Sequence, residues 1–287
     1  MSQTHHAILL ISCPDQKGIT AAVTDFVFKR GGNIVDAAQH ADAASGAFFM
    51  RMEWELAGFG VAKDRIPGEF APLAEKFKMS WELYFTDEPV KVAVFVSKHL
   101  HCLFDLLFRY KSGQLPQARI ELIISNHHDA EPLARQWGIE FLHTPVIAEA
   151  KAQAEQTQLA ALRGKGVGLV ILARYHQILS EGFIRHYPRR IINIHHSFLP
   201  AFAGASPYAQ AHQKGVKLIG ATSHYVTRDL DQGPIIEQDT ARVNHRHAIS
   251  DLVEIGQDLE RIVLYRAVRW HLEHKILSCG SKTVIFE

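Results

Sequence analysis

Apolar and polar positions in the first 86 residues follow the pattern of a small mixed domain. A strand is predicted for HAILLISC, a helix ending in a glycine pair for DQKGITAAVTDFVFKRGG, and a hairpin turning near Ser45 and Gly46 for NIVDAAQHADAASGAFFMRMEWE. A second amphipathic helix near residues 68–77 and a strand at SWELYFT follow. The predicted element order is therefore β-α-β-β-α-β over residues 1–86.

The pattern changes after the polar joint DEPVK. From there, continuous apolar runs alternate with helical stretches of roughly 10 to 15 residues, as expected for parallel strands covered on both faces. The chain is therefore predicted to be an α/β protein, with a mostly parallel, Rossmann-like sheet in residues 90–287. The terminal KTVIF is predicted as an edge strand. The other predicted strands are VKVAVFVS, ARIELIIS, IEFLHTP, VGLVILARY and RIINIHH.

Length and composition narrow the class of protein. The 287 residues suit two domains, since a domain has roughly 100 to 200 residues. A content of 47% hydrophobic and 21% charged residues is that of a soluble globular protein, without an apolar run of the roughly 20 residues that span a membrane. Lysine plus arginine total 31 against 30 acidic residues, so nucleic acid is not a predicted partner. Three distant cysteines and no leader pattern predict a reduced, cytoplasmic protein.

The stretch IINIHHSFLPAF, residues 191–202, contains a predicted apolar strand that ends in polar residues. Alternate residues of a strand share a face, so Asn193 and His195 should project side by side at the carboxyl end of a central strand. Open α/β sheets bind their ligands at that edge. An amide donor beside an imidazole suits polarisation of a carbonyl and transfer of a proton. A polar strand end bonded only to its own loop explains the pair equally well.

A second polar turn lies downstream in GATSHYVTRDLDQGPIIEQ. An extended segment, ATSHYV, runs into a tight turn in which Asp231 lies just before Gly233 and Pro234. Because Asp and Gly are common turn residues, this turn by itself favours a structural role.

Together the two stretches resemble the formyltransferase-fold family, the folate-dependent enzymes that move or remove formyl groups. The resemblance covers about Val90 to Phe286, and two separated motifs in the right order make it specific. It implies that Asn193, His195 and Asp231 are the catalytic residues. The family pattern Asn-x-His-x-Ser-x-x-Pro, then Asp-x-Gly-Pro, is matched by Asn193, His195, Ser197, Pro200, Asp231, Gly233 and Pro234.

The branch of the family is indicated by the first strand of the second domain. Relatives that formylate glycinamide ribonucleotide carry a glycine-rich turn after that strand, where backbone amides cradle a phosphate. The segment VFVSKHLHCLFDLLFRY has no glycine, although Ser97 and Lys98 could meet an anion at the helix start. Instead, SKHLHCLFDLL, ISNHHD, LARYHQILS and VRWHLE resemble the hydrolytic branch, the formyltetrahydrofolate deformylases. His176, where methionine is expected, and Ser206, where a longer polar or basic residue is expected, depart from that pattern.

This resemblance implies hydrolysis of 10-formyltetrahydrofolate to formate and tetrahydrofolate, supplying purine and one-carbon metabolism without a cofactor. Asn193 and a protonated His195 would stabilise the oxyanion, while Asp231 would raise the pKa of His195 and accept the water's proton. Two alternatives stay open. One is a folate-dependent formyltransferase such as glycinamide ribonucleotide formyltransferase; the other is an amino-acid-sensing protein with an inactive catalytic half.

The resemblance also assigns the folate pocket. Backbone groups of residues 176–179 and 226–230 would form hydrogen bonds with the edge of the pterin, and apolar side chains would form the walls of the pocket. His224 matches a family position near the site and is expected to touch the folate or the catalytic carboxylate. The expected substrate-binding residues are His176, Gln177, Ile178, Leu179, Ile184, His224, Val226, Arg228 and Leu230.

The opening CPDQKGITAAVTDFVFKRGGNI resembles ACT domains, which commonly bind amino acids and pair across subunits. The resemblance implies a ferredoxin-like regulatory domain over residues 1–86, an amino-acid effector and a homo-oligomer. Asp15, Gly18 and Asn33 fit the ligand edge of such a domain, although a helix cap and a turn explain them equally well.

Eighteen histidines do not by themselves predict a metal site. The segment HLEHK departs from His-Glu-x-x-His, and the sequence contains no Cys-x-x-Cys. His196 should point away from His195, because neighbouring strand residues face opposite sides. We therefore predict no catalytic metal.

Overall fold

The computed structural model of the protein describes residues 5–200 and 207–287, so Ser206 lies outside the described residues. The chain divides into two compact units. The first runs to Pro89 and includes residues 273–279 and 283–287. The second comprises Val90–Leu272 and Gly280–Lys282.

The first unit is built on an antiparallel sheet of four strands. The strand order is β2-β3-β1-β4, and the pairings β2 with β3, β3 with β1 and β1 with β4 are all antiparallel. Alternate residues of the central strand β1, among them Leu9 and Ile11, pack with helix residues Val23 and Phe70 in one core. The elements are β1 His6–Pro14, α1 Ile19–Phe28, β2 Ile34–Asp42, β3 Ala47–Glu55, a 3₁₀ helix Lys63–Arg65, α2 Ile66–Lys76 and β4 Ser80–Phe85.

The second unit contains a seven-stranded sheet in the order β11-β10-β9-β8-β5-β6-β7. The five strands from β9 to β7 are parallel, while β10 runs antiparallel to both β9 and β11. The prediction of a mostly parallel sheet is confirmed. Its elements are β5 Val90–Val96, α3 His101–Lys111, β6 Ala118–Ser125, α4 Glu131–Trp137, β7 Glu140–His143, a 3₁₀ helix Ala148–Ala150, α5 Lys151–Lys165, β8 Leu169–Leu172, α6 Glu181–Ile184, β9 Ile191–His195, α7 Pro207–Gln213, β10 Leu218–Tyr225, β11 Ile235–Arg242 and α8 Ile249–Leu272.

The central strands of this sheet are apolar because both of their faces are covered. Every residue of β8 is buried, as are the last five residues of β5. Parallel strands bring their carboxyl ends to one edge, so the residues that follow β8 and those that end β9 meet there. Among the described helices, none is long and apolar enough to cross a membrane.

The carboxyl-terminal segment departs from the predicted domain of residues 90–287. It forms a separate hairpin, β12 Ile276–Cys279 and β13 Lys282–Ile285, rather than an edge strand of the large sheet, and most of it belongs to the first unit. Arg51, which is 3% exposed, explains this placement. It donates from Nε to the carbonyl oxygen of His274 at 3.1 Å and from Nη2 to that of Glu273 at 3.3 Å.

Candidate active site

A single cavity of about 490 Å³ lies at the carboxyl ends of β8 and β9. Its walls come from three segments: the loop after β8, the end of β9, and the turn between β10 and β11. All twelve residues predicted for catalysis or folate binding line it: Asn193, His195, Asp231, His176, Gln177, Ile178, Leu179, Ile184, His224, Val226, Arg228 and Leu230.

Asn193 is held by a partner on the neighbouring strand. The antiparallel register of β9 and β10 sets Asn193 opposite His224, and Asn193 Nδ2 lies 3.3 Å from His224 Nε2. The other ring nitrogen of His224, Nδ1, lies 3.0 Å from the carbonyl oxygen of Tyr225, so it carries a hydrogen and donates. A carboxamide has two N–H groups, and the contact with His224 uses at most one of them. The second can donate to a ligand in the cavity.

Asp231 reaches the site from a tight turn after β10. Its backbone is left-handed, with φ of 54°, and the turn brings Gly233 against the backbone of Tyr225. A Cβ on Gly233 would lie 1.7 Å from the Tyr225 carbonyl oxygen, so only glycine fits there. The glycine of the Asp-x-Gly-Pro motif therefore has a steric cause.

The Asp231 carboxylate lies between two imidazoles. Oδ2 is 3.4 Å from His195 Nδ1, and Oδ1 is 3.4 Å from His224 Nε2. The contact with His224, and to a lesser extent the neighbouring His195, hold the pKa of Asp231 below its ordinary value, although burial acts in the opposite direction. Asp231 is therefore a carboxylate, and it can accept a hydrogen bond from Nδ1 of His195 and so orient that ring.

His195 is buried, with 6% of its surface exposed, and it lines the cavity. Burial lowers the pKa of His195, and the opposing effect of Asp231 does not reverse that direction. Asp231 does act to raise this pKa, as expected, but desolvation of the ring is the larger effect. With Nδ1 facing the carboxylate, the neutral ring presents Nε2, which has no hydrogen-bond partner among the described residues.

The loop after β8 supplies the apolar wall and is fixed from behind. Ser97 Oγ accepts the backbone N–H of His176 at 3.1 Å. Glu155, a buried residue of α5, accepts the backbone N–H of Ser180 at 2.9 Å and also the Ser180 hydroxyl. These contacts fix both ends of the segment that carries Ile178 and Leu179. In the sequence, Glu155 gave no signal beyond that of an ordinary helical acid.

Arg174 and His196 also line the cavity, and the sequence analysis assigned neither of them to it. Arg174 lies two residues after the end of β8 and has a left-handed backbone, with φ of 62°. His196 also lines the cavity, with its ring centroid 5.1 Å from that of His195, so the expectation that it points away was wrong. The strand ends at His195, and the alternation of faces ends with it. The one feature of the sequence that could have pointed to Arg174 is its position within LARYHQILS, a segment that resembles the deformylases.

Metal-ligand side chains meet in one other place in the described part of the chain. Donor atoms of His101, Cys102 and Glu260 lie within 4.8 Å of one another. His101 Nε2 donates to Glu260 at 2.7 Å, and the cation of Arg174 lies 3.4 Å from the same carboxylate. Burial raises the pKa of Cys102 well above its ordinary value, so the thiol keeps its proton. This group is a hydrogen-bonded network in which the Glu260 carboxylate already has protein partners on both oxygens.

The three residues predicted for a regulatory ligand do not form one cluster. Gly18, with φ of 92°, lines a shallow depression on the first unit together with Lys17, Asp25 and Lys76. The backbone N–H of Asp15 donates instead to the Gly46 carbonyl at 2.8 Å. Asn33 Nδ2 donates to Glu55 Oε2 at 3.1 Å.

Comparison with known proteins identifies the family. The profile described as "Formyl transferase" matches residues 90–268. A formyltetrahydrofolate deformylase of Synechocystis sp. is 49% identical over 98% of this chain and 98% of its own length. The crystal structure of a formyltetrahydrofolate deformylase from Pseudomonas syringae superposes with a TM-score of 0.97 at 42% identity, covering 100% of this chain and 96% of the other.

A more distant relative marks the limits of the shared fold. The glycinamide ribonucleotide transformylase 1 of Symbiobacterium toebii, at 31% identity and a TM-score of 0.65, covers 72% of this chain and 98% of its own. The deformylases thus match both units of this chain, whereas the transformylase matches only a part of it. The chain therefore belongs to the formyl transferase family and, within it, to the formyltetrahydrofolate deformylases.

Proposed function

We propose that this protein hydrolyses 10-formyltetrahydrofolate to formate and tetrahydrofolate, and so supplies both to one-carbon and purine metabolism. The observation that carries the proposal is the convergence of Asn193, His195 and Asp231 on one cavity. The end-to-end similarity to deformylases supports the same reaction.

The cavity suits a flat, hydrogen-bonding ring. A volume of about 490 Å³ is within the range of roughly 300–1,000 Å³ found for small-molecule sites. Leu179, Ile184 and Val226 supply apolar surface, and the exposed Ile178 and Leu230 lie on the wall as well. The pterin would lie among these side chains, with the formyl group directed towards Asn193.

In the proposed mechanism, water attacks the formyl carbon, and its oxygen forms a new C–O bond. Neutral His195 accepts the water's proton at Nε2, and the resulting imidazolium is stabilised by the Asp231 carboxylate 3.4 Å from Nδ1. The carbonyl electron pair moves onto oxygen, where the free N–H of Asn193 can donate to it. One such donor typically contributes a factor of about 10² to 10³ in rate.

Collapse of the intermediate breaks the C–N bond. The imidazolium of His195 returns its proton to the leaving nitrogen, which becomes the amine of tetrahydrofolate, and the formic acid loses a proton to give formate. Atoms and charge then balance, with one proton released for each turnover. In this scheme His195 is the proton carrier, and Asp231 is the group that orients and stabilises it.

The transferase alternative is not favoured. It would use the same three residues with an amine in place of water, but the deformylases align with both units and the transformylase with 72% of the chain. The sensing alternative, with an inactive catalytic half, is also not favoured, because the amide, imidazole and carboxylate are all present at contact distance.

The test is an assay of the purified protein with 10-formyltetrahydrofolate and no acceptor amine. We expect formate and tetrahydrofolate in equal amounts, with the same rate before and after chelation of metals. Absence of formate, with tetrahydrofolate and a formylated amine formed only when an amine is added, would establish the transferase. Loss of activity on chelation would contradict the prediction that no metal takes part.

For the first unit we propose an ACT-like regulatory domain that binds an amino acid and pairs subunits. Its strand order and the left-handed Gly18 at the start of α1 support the proposal. We expect saturable binding of an amino acid, weakened by Gly18→Val, together with a mass above one chain in native mass spectrometry. A monomer that binds none of the common amino acids would contradict it.

A further inference from the structure

We infer that Arg174 forms a binding subsite for the carboxylate product, formate, on the wall of the catalytic cavity. This inference rests on the proposed function, since it names the group that receives the anion released there. The chemical class of the ligand is a small monocarboxylate.

The guanidinium of Arg174 has unused donors. Its side chain is only 11% exposed and lines the cavity beside the catalytic residues. Its contact is an ion pair of Nε with Glu260 Oε2 at 3.4 Å; Nε itself is buried, and within the described chain no hydrogen bond to it is formed. Five N–H groups in a planar fork are the natural partner of a carboxylate, which accepts two of them at once.

Glu260 pairs with the Arg174 guanidinium without using all of its N–H groups. It is 1% exposed and receives hydrogen bonds at 2.7 Å from His101 Nε2 on one oxygen and from the Tyr208 hydroxyl on the other. Despite burial, these bonds and the charge of Arg174 hold the pKa of Glu260 below its ordinary value. Gly256 leaves room for Tyr208, since a Cβ there would lie 2.0 Å from its hydroxyl. The carboxylate therefore positions Arg174 and leaves donors for a ligand.

The backbone at Arg174 supports a role for the side chain. A φ of 62° favours glycine, and a long side chain in that conformation is held against its preference. The Ser97 N–H donates to the Arg174 carbonyl at 3.2 Å, which fixes the peptide at the end of β8. Strained residues of this kind concentrate where ligands bind.

Arg174 is the fixed positive charge of this part of the cavity. Burial first, and then the charge of Arg174, lowers the pKa of His99, His176 and His196, so these neighbouring rings stay neutral. The opposing charges are Glu260 behind it and Asp231 across the cavity. Formate is an anion at neutral pH, and Arg174 lines the cavity in which the reaction would release it.

A second source of carboxylates is the glutamate tail of the folate. Arg228, which also lines the cavity, has a side chain that is 70% exposed, and it lies 3.4 Å from Asp229. That position suits a solvent-exposed tail, whereas Arg174 is enclosed. Formate and p-aminobenzoyl-glutamate therefore serve as competing probes.

The experiment is a titration of the folate-free protein with ¹³C-formate, followed by NMR at constant ionic strength set with sodium chloride. We expect saturable binding that weakens at least tenfold in Arg174→Gly and less in Arg174→Lys. Glycine relieves the left-handed backbone but removes the cation paired with the buried Glu260, so the thermal unfolding temperature is measured for both variants, and Arg174→Lys, which keeps the charge, separates lost binding donors from lost stability. The matched control is Arg189→Gly, which changes an exposed arginine with φ of 56° outside the cavity lining and should bind formate as the wild type does.

Product inhibition provides the second measurement. We expect the inhibition constant for formate in the deformylation assay to rise by the same factor in Arg174→Gly. Formate affinity within twofold of the wild type in that variant, chloride competing as well as formate, or displacement only by p-aminobenzoyl-glutamate would each overturn the inference. Formate binding is measured without turnover, so failure of the hydrolase assignment would leave the NMR result readable.

Discussion

Asn193 and His224 face each other across the antiparallel pair of strands β9 and β10, with their side-chain nitrogens 3.3 Å apart. The amide is thus fixed by a strand partner 31 residues away, rather than by its own loop. Because Asp231 contacts the same imidazole and also His195, four polar side chains form one connected group. The predictions below test how that group and its supports work.

Removing either member of the His195 and Asp231 pair should abolish most catalysis. We expect His195→Ala and Asp231→Asn to lower kcat for formate release by a factor of about 10² or more, because the proton carrier or its stabilising charge is lost. Asp239→Asn, which changes a partly exposed carboxylate of β11 paired with Arg266, is the control and should stay near the wild-type rate. A rate within threefold of the wild type in either catalytic variant would remove that residue from the mechanism.

The pH dependence of kcat/KM should reflect the buried imidazole. Burial lowers the pKa of His195 from the ordinary 6.5, and the reaction needs its neutral form. Activity should therefore persist as the pH falls through 6.5 and decline only at lower pH. Rates measured from pH 4.5 to 8 give the acid limb; an inflection above 6.5 would show that Asp231 outweighs burial.

Stability should fall in mild acid because of His271. Burial, and next Arg190, lowers the pKa of His271 to about 4, and its Nδ1 forms a hydrogen bond of 2.7 Å with the Tyr225 hydroxyl. Between pH 6.5 and about 4 the unfolded state binds a proton that the native state does not. The free energy of unfolding should therefore decrease as pH falls through this window, by on the order of 3 kcal/mol from this group.

Urea unfolding at several pH values measures this effect. The slope between pH 6.5 and 5 should decrease by about 1.4 kcal/mol per pH unit in His271→Gln, the equivalent of one proton. An unchanged slope in that variant would assign the acid sensitivity to other groups, such as His196, whose pKa is also lowered to about 4 by burial.

The turn that carries Asp231 should not tolerate a methyl group. Gly233→Ala would set a Cβ 1.7 Å from the Tyr225 carbonyl oxygen, so the turn must open and move Asp231. We expect at least a tenfold loss of kcat/KM together with a lower unfolding temperature. Gly164→Ala, in helix α5 with open space around the added Cβ, is the control and should be neutral or slightly stabilising. Full activity in Gly233→Ala would show that the turn is not constrained.

Arg51 should hold the carboxyl-terminal hairpin in the first unit. Arg51→Met leaves the carboxylates of Asp36 and Glu53 and two backbone carbonyls without this donor. We expect a loss of about 3 to 5 kcal/mol in stability and faster hydrogen exchange in residues 276–285. Arg135→Met, at an 81% exposed site paired with Glu131, should cost less than about 0.5 kcal/mol. Unchanged exchange in the hairpin would contradict the role of Arg51.

The sequence by itself determined the strands and the order of the chemistry along them. Apolar runs marked β5, β6 and β9 because buried parallel strands need apolar residues on both faces. Alternation along β9 set Asn193 and His195 on one face, and the Asp-x-Gly-Pro turn marked Asp231. These features depend on residues that are close together in the chain, so a single sequence is enough to predict them.

Only the tertiary structure decided which distant groups meet, and how strongly each is desolvated. The register of β9 and β10 chose His224 as the partner of Asn193, and the packing of α8 placed Glu260 behind Arg174. Burial set the direction of the His195 pKa against the effect of the adjacent carboxylate. Contacts of Arg51 assigned the last strands to the first unit. Desolvation and long-range contacts depend on three-dimensional packing, which periodicity along the chain does not specify.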